Sequence, residues 1–142
     1  MGLRQVLVDH DVSDLERMFP GWKGLQHYEL RTDTADKDIV TYACANGLTI
    51  VTANGPDFQA AIRTHIKLTK KSECFRLFGL IVVPNQAAVR TSALKDFYRK
   101  LKALGYSLAK VNNNNLLVKV MVNGRVTVSE PFKRCPHCTH YD

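Results

Sequence analysis

The stretch Gln5-Val6-Leu7-Val8-Asp9-His10-Asp11 decides the reading of the fold. An apolar run ends abruptly in two carboxylates one residue apart, which is the pattern of a fully buried strand delivering charge to a sheet edge. In open α/β sheets that edge is where ligands bind. A strand that only had to stop would do so with Gly, Asn or one Asp, so the pair points to a cation. The structural alternative is a turn followed by a helix, with Asp11 as its cap. Asp9 sits deeper on the strand end and is the better placed of the two for chemistry.

Outward from this strand, Val12, Leu15, Met18 and Phe19 recur at helical spacing until Pro20-Gly21 ends the run. Trp22 to Gly24 reads as a turn and His27 to Arg31 as a short strand. Thr32, Asp33 and Thr34 supply cap chemistry for a helix over 35–45, in which Ala35, Ile39, Tyr42 and Ala43 share a face, and Asn46-Gly47 stops it. Leu48 to Val51 is a further buried strand, followed by the polar turn Thr52-Ala53-Asn54-Gly55-Pro56-Asp57. From Asp57 a helix carries Phe58, Ile62 and Ile66 at four-residue steps and frays into the basic stretch Lys67 to Lys71. Leu77 to Val83 is the next strand. A long helix over 86–104 and a short strand over 106–111 complete the alternation.

Strand alternating with helix predicts an α/β three-layer sandwich with a mainly parallel central sheet. The grammar then changes to period two, with Leu116, Val118, Val120 and Val122 on one face and Val126 and Val128 beyond Asn123-Gly124. Asn-Gly between alternating runs predicts a C-terminal β-hairpin. An isolated hairpin is marginal in water, so this one is expected to extend the sheet, pack on the domain or pair with a second copy in a homodimer. The expected division is therefore an α/β domain over 1–111 and a hairpin with a Cys/His-containing tail over 112–142.

A chain of 142 residues, 45% hydrophobic, suits one globular core. No stretch has the length of a membrane span and the N-terminus lacks a signal peptide's build, so a cytoplasmic protein without a membrane partner is expected. The formal charge of +7 favours polyanionic partners. Cys44 and Cys74 stand singly in apolar segments and read as small core residues.

Three strand-to-helix junctions carry acids or amides: Asp9 and Asp11, Asp36 and Asp38, Asn54 and Asp57. In a parallel sheet the first and third sets reach the same edge, and Asp38 comes to it from a helix N-terminal turn. Carboxylates gathered there repel one another unless a cation sits among them. Oxygen-only ligation points to magnesium or manganese, which can activate water against a phosphodiester. Helix capping and the helix dipole also favour Asp at each of these positions, which is the structural alternative.

Val8-Asp9-His10-Asp11, Asp36-Lys37-Asp38-Ile39-Val40 and Ile50-Val51-Thr52-Ala53-Asn54-Gly55-Pro56-Asp57-Phe58 together resemble the PIN-like nuclease superfamily, in its small branch related to type II toxin–antitoxin toxins. The resemblance covers Gln5 to Pro84. It implies that 1–111 is a PIN-like nuclease domain with Asp9 as central metal ligand, Asp38 as second carboxylate and Asp57 as the later acid. The implied metal set is Asp9, Asp11, Asp38, Asn54 and Asp57, around Mg2+ or Mn2+. The implied activity is endonucleolytic cleavage of single-stranded RNA, with an antitoxin protein as a candidate partner. His10-Asp11 stands where the family usually has Glu-Asn, and Asn54 where many relatives have Asp. The alternative is therefore a weak or inactive module that binds nucleic acid or protein.

Asp9-His10-Asp11-Val12-Ser13 also resembles the opening of haloacid-dehalogenase-like phosphatases, whose later strand ends in paired acids; Val83-Pro84-Asn85 offers none. In a response-regulator receiver the acceptor Asp would stand at the end of the third strand, where this chain has Thr52. In the tail, Cys135-Pro136-His137-Cys138-Thr139-His140 has the spacing of half a zinc site, with Cys135, Cys138 and His140 as candidate Zn2+ ligands. Lys67, Lys70, Lys71, Arg76, Arg90, Lys95, Arg99 and Lys100 are candidate phosphate contacts, and Trp22, Tyr28 and Tyr141 candidate stacking partners for bases.

Overall fold

Val6-Leu7-Val8 forms strand β1 (Val6–Val8), and all three residues are buried. Successive side chains of a strand point to opposite faces, so burial at every position requires neighbours on both sides of the sheet. β1 pairs in parallel with β2 (Trp22–Gly24) on one side and β3 (Thr49–Thr52) on the other. β3 pairs with β4 (Leu80–Val82) and β4 with β5 (Leu117–Val120), again in parallel, while β6 (Val126–Ser129) lies antiparallel to β5. The six-stranded sheet runs β2-β1-β3-β4-β5-β6, an α/β arrangement that is mostly parallel.

The computed structural model describes residues 6–17, 21–84, 99, 116–121, 123 and 125–137. The expected helix over 86–104, apart from Arg99, and the expected strand over 106–111 lie outside the described residues, as do Cys138, His140 and Tyr141.

Two helices pack against one face of the sheet. Leu7, Ile50, Leu80 and Leu117 meet Ile39, Val40 and Ala43 of α1 (Asp36–Asn46) and Phe58 and Ile62 of α2 (Gly55–Leu68). On the other face Val6, Val8, Val51, Ile81, Val118 and Val120 pack with Val12, Leu15 and Trp22. Among the described residues no helix is long and apolar enough to cross a membrane.

α1 ends where the sequence places its stop. Gly47 takes a left-handed conformation, φ 69°, and its N–H caps the Ala43 carbonyl. A Cβ there would meet only the Phe78 ring at 3.7 Å, so the constraint is conformational. Gly47→Ala is expected to cost about 1 kcal/mol of stability, read as a lower urea midpoint with an unchanged slope. The first residue of α2 is constrained by space instead. A Cβ on Gly55 would lie 3.1 and 3.2 Å from the two Val82 methyls, so glycine lets the helix start against β4.

Two segments depart from the sequence reading. Trp22 to Gly24, expected as a turn, is an edge strand: Trp22 and Gly24 are buried and Lys23 is exposed, a period of two too short to register in the sequence. His27 to Arg31, expected as a strand, is instead the end of a 3₁₀ turn (Leu25–Tyr28) closed by Glu29 at φ 60°. Tyr28 there donates its hydroxyl to the Val6 carbonyl at 3.2 Å and so ties the turn to β1. The first helix is also 3₁₀ (His10–Arg17), broken at Val12, and it buries Val12 and Leu15 at the three-residue spacing that this tighter helix stacks. β5 and β6 extend the central sheet, one of the placements expected for the C-terminal alternating segment.

Candidate metal centre

The chain leaves β1 for β2 on one side and returns to β3 on the other, so strand order reverses between β1 and β3. Ligands of open α/β sheets bind outside the carboxyl ends of the strands at such a point. The register Val8↔Val51 sets Asp9 opposite Thr52, and the ladder continues into Asp9, whose N–H donates to the Val51 carbonyl at 2.8 Å. Alternation turns both residues to the face of Leu7 and Ile50, which α1 and α2 cover.

Thr52 is fully buried, and its hydroxyl joins two parts of the edge. Oγ1 donates to Asp9 Oδ2 at 2.9 Å and accepts the Asn54 N–H at 2.9 Å. Asp9 Oδ1 accepts the His10 N–H at 2.9 Å. The two carboxylate oxygens of Asp9 are thus each held by a donor, besides the hydrogen bond that Asp9 shares with Asp11.

Asp11 does not cap the helix that begins beside it. Its Oδ1 faces the Ala53 N–H across the turn after β3, at a long 3.5 Å. Burial, followed by the charge of Asp9 and a hydrogen bond with Asp9, pushes Asp11 up to about 6; Asp36 adds to the rise and Ala53 opposes it. Asp36, the first residue of α1, is raised as well, by burial first and then by the charges of Asp9 and Asp57. Asp57, in the first turn of α2, accepts a hydrogen bond from Asn54 Nδ2 at 2.8 Å. Neither α1 nor α2 has a side-chain N-cap bond, so the amides and acids at these starts are not spent on capping.

Asp9, Asp11, Asp36 and Asp57 therefore act on one another electrostatically, and Asp38 stands apart. Asp38 lines a cleft of about 320 Å³ between the helices with Thr41, His65, Leu68 and Glu73. The register of α1 explains the split. Asp36 lies four and seven residues before the buried Val40 and Ala43 and shares their stripe, while Asp38 lies on the exposed side with Thr41. Thr52 was not among the expected site residues, and Asp36 of α1 feels the charges of Asp9 and Asp57.

All the donors at this edge are oxygens, and two of the acids are pushed above the ordinary range, by burial first and then by neighbouring charges, so a hard divalent cation suits them. Among the described residues no three His, Cys, Asp or Glu side chains are close enough to share one ion. Magnesium, which keeps several waters and takes one or two carboxylates, is compatible with that spacing.

The raised Asp11 has a consequence for stability. Its ordinary value is 3.8 and its folded value about 6, so the folded state holds the proton more tightly. The stabilisation is complete below about pH 4 and is lost as pH rises through 6. The carboxyl is only partly withdrawn from water, on a residue that is exposed overall, and solvent screening limits the effect to about 1 kcal/mol or less. Asp11→Asn is expected to remove this pH dependence, so that urea midpoints at pH 5 and pH 8 differ less than in the wild type.

Lys67 lies ten residues along α2 from Asp57, about 15 Å away, and Lys70 and Lys71 lie just beyond the end of that helix. With Lys133 and His137 they line a second depression of about 520 Å³. Arg76 stacks on the Phe78 ring at 5.0 Å. Trp22 is 0% exposed and is unavailable to stack on a base, whereas Tyr28 is half-buried. The chain matches no family model, no curated protein and no solved structure.

Proposed function

We propose that this chain is a magnesium- or manganese-dependent endoribonuclease of PIN-like type, cleaving single-stranded RNA at the carboxyl edge of β1 and β3. The observation that carries the reading is the mutual electrostatic action of Asp9, Asp11, Asp36 and Asp57, brought from three segments to the one edge where strand order reverses. The fold that goes with it is a three-layer sandwich, and the biological setting is that of a toxin held by an antitoxin.

Asp9 and Asp36 would hold the ion, with Asp57 and Asp11 flanking it. Such an ion, when bound, polarises a phosphoryl oxygen and makes water acidic enough to attack near neutral pH. Thr52 and the His10 N–H fix the orientation of the Asp9 carboxylate. Asp11, at about 6, is placed to exchange a proton near neutral pH. The +7 charge draws the polyanionic substrate.

A second reading, a binding module without catalysis, is favoured by Asn54, whose amide occupies an oxygen of Asp57 that an active site would offer to the ion. One experiment separates the two. Labelled single-stranded RNA is incubated with the purified chain and manganese, magnesium or chelator. Cleavage that appears with either metal and stops with chelator supports the nuclease; RNA retained uncut under all three supports the module.

A further inference from the structure

The tail after β6 returns to the helical face. Phe132 is buried in the core beside α2, with the Arg63 guanidinium over its ring at 5.7 Å. Three residues on, Cys135 is buried as well, and its Sγ lies 3.6 Å from Cys74 Sγ in the segment between α2 and β4. Cys74 itself, expected in the core, is exposed. With Phe132 and Cys135 turned inward, Lys133 and His137 are left exposed. They meet Lys67, Lys70 and Lys71 around the depression of about 520 Å³, whose apolar part is Ile66 and Phe75.

Four ammonium groups line this concavity, and among the described residues that line it there is no acid. The helix dipole favours lysine at a helix C-terminus, which accounts for Lys67 and the two that follow α2. It does not account for Lys133, which the tail brings from another part of the chain. Like charges gathered around a concave surface raise one another's energy, and an anion among them relieves it. The cleft between α1 and α2 has no such bias, since Lys37 there is balanced by Asp38 and Glu73. His137 adds a flat ring to the charges. Its Nε2–H donates to the Lys71 carbonyl, which holds that exposed ring beside the lysines. A nucleotide engages both features, phosphate on the ammonium groups and base on the ring, whereas an acidic polypeptide would use the charges alone.

We propose that this depression binds single-stranded RNA, with Lys67, Lys70, Lys71 and Lys133 on its phosphates and a base stacked on His137. The choice of RNA rests on the functional reading above. The site is separate from the acids, because Asp57 stands in the first turn of α2 and these lysines at and beyond its other end. It gives the chain a hold on the strand away from the scissile phosphate, one that needs no metal.

The test is fluorescence anisotropy of the full chain with a labelled single-stranded RNA in chelator, so that nothing is cut, across about 50–300 mM salt. Each phosphate contact to a single strand contributes about 0.7 to the slope of log affinity against log salt. The triple variant Lys67→Gln, Lys71→Gln, Lys133→Gln is expected to flatten the slope by about 2 and to weaken binding roughly 100-fold at about 0.1 M salt. A second triple, Lys23→Gln, Lys119→Gln, Arg125→Gln, removes the same charge at exposed positions outside the depression and should change the slope by less than about 0.5. His137→Ala should cost about tenfold with the slope unchanged, and His137→Phe should restore most of it. Equal slopes for the two triples would overturn the site, and polyglutamate that displaces the label as well as unlabelled RNA does would overturn the choice of RNA. Unchanged circular dichroism in every variant guards against loss of binding through unfolding. Binding of this kind by a chain that does not cut removes only the nuclease reading, while cutting by a chain whose two triples bind alike removes only the site.

Discussion

Replacing Asp9 by Asn is expected to lower metal-dependent RNA cleavage by roughly 100-fold or more, equivalent to about 2.7 kcal/mol of transition-state stabilisation. The substitution keeps the shape of the side chain and leaves an oxygen to accept the Thr52 hydroxyl, so the β1–β3 pairing is undisturbed. It removes the charge that sits between the other acids. Both Asp11 and Asp36 are held up in part by Asp9, so their titrations should move back toward the ordinary carboxylate range in the variant. Side-chain carboxyl NMR across pH 3 to 8 checks that shift without any substrate, and manganese titration checks the ion. Cleavage equal to wild type with a restored Asp11 titration would retain the acid cluster as a structural feature and remove its catalytic role.

The largest stability effect is expected at Trp22. Its side chain is 0% exposed and packs with Val6, Val8, Val12 and Leu15, in an edge strand of only three residues. Truncation to alanine removes the largest apolar group on that face and leaves a cavity bounded by β1 and the 3₁₀ helix. The cost is about 3–5 kcal/mol, a large share of a domain's net stability, and lowers the melting temperature by roughly 10–15 °C. Trp22→Phe should recover part of it, because most of the apolar volume returns. Thermal unfolding followed by far-ultraviolet circular dichroism reads both. A loss below 1 kcal/mol for the alanine variant would show that the site collapses without penalty, contrary to its complete burial against β1 and the 3₁₀ helix.

The elements that follow simple periodicity are those the sequence makes plain. β1 and β3 are apolar runs buried on both faces, and α1 and α2 carry apolar residues at helical spacing with a glycine at the stop or the start. What escapes is decided by packing that no local pattern records. β2 consists of a tryptophan and a glycine around a lysine, and its strand character comes from pairing with β1. At the site, Asp9 is legible because it ends the run that defines the fold. The choice between Asp36 and Asp38 depends on which stripe of α1 is buried, and the i, i+4, i+7 relation of Asp36 to Val40 and Ala43 carries that information in the sequence. Thr52 has no such signal; its role arises from standing opposite Asp9 in a parallel pair 43 residues apart. Cys74 escapes for a similar reason: its apolar neighbour Phe75 is buried while Cys74 itself, expected in the core, is exposed.

The pairing of β1 with β3 has a consequence for how errors in folding would express themselves. Each strand contributes a pairing of only three residues, yet that pairing decides the side of the sheet on which Asp9 emerges. A slip by a single residue would turn the carboxylate away from both helices while exchanging one set of aliphatic side chains for another of similar size. Such a misthreaded molecule could keep most of its helix content and still have no acid beside Thr52, so catalytic competence would be a more sensitive gauge of correct alignment than any bulk spectroscopic signal.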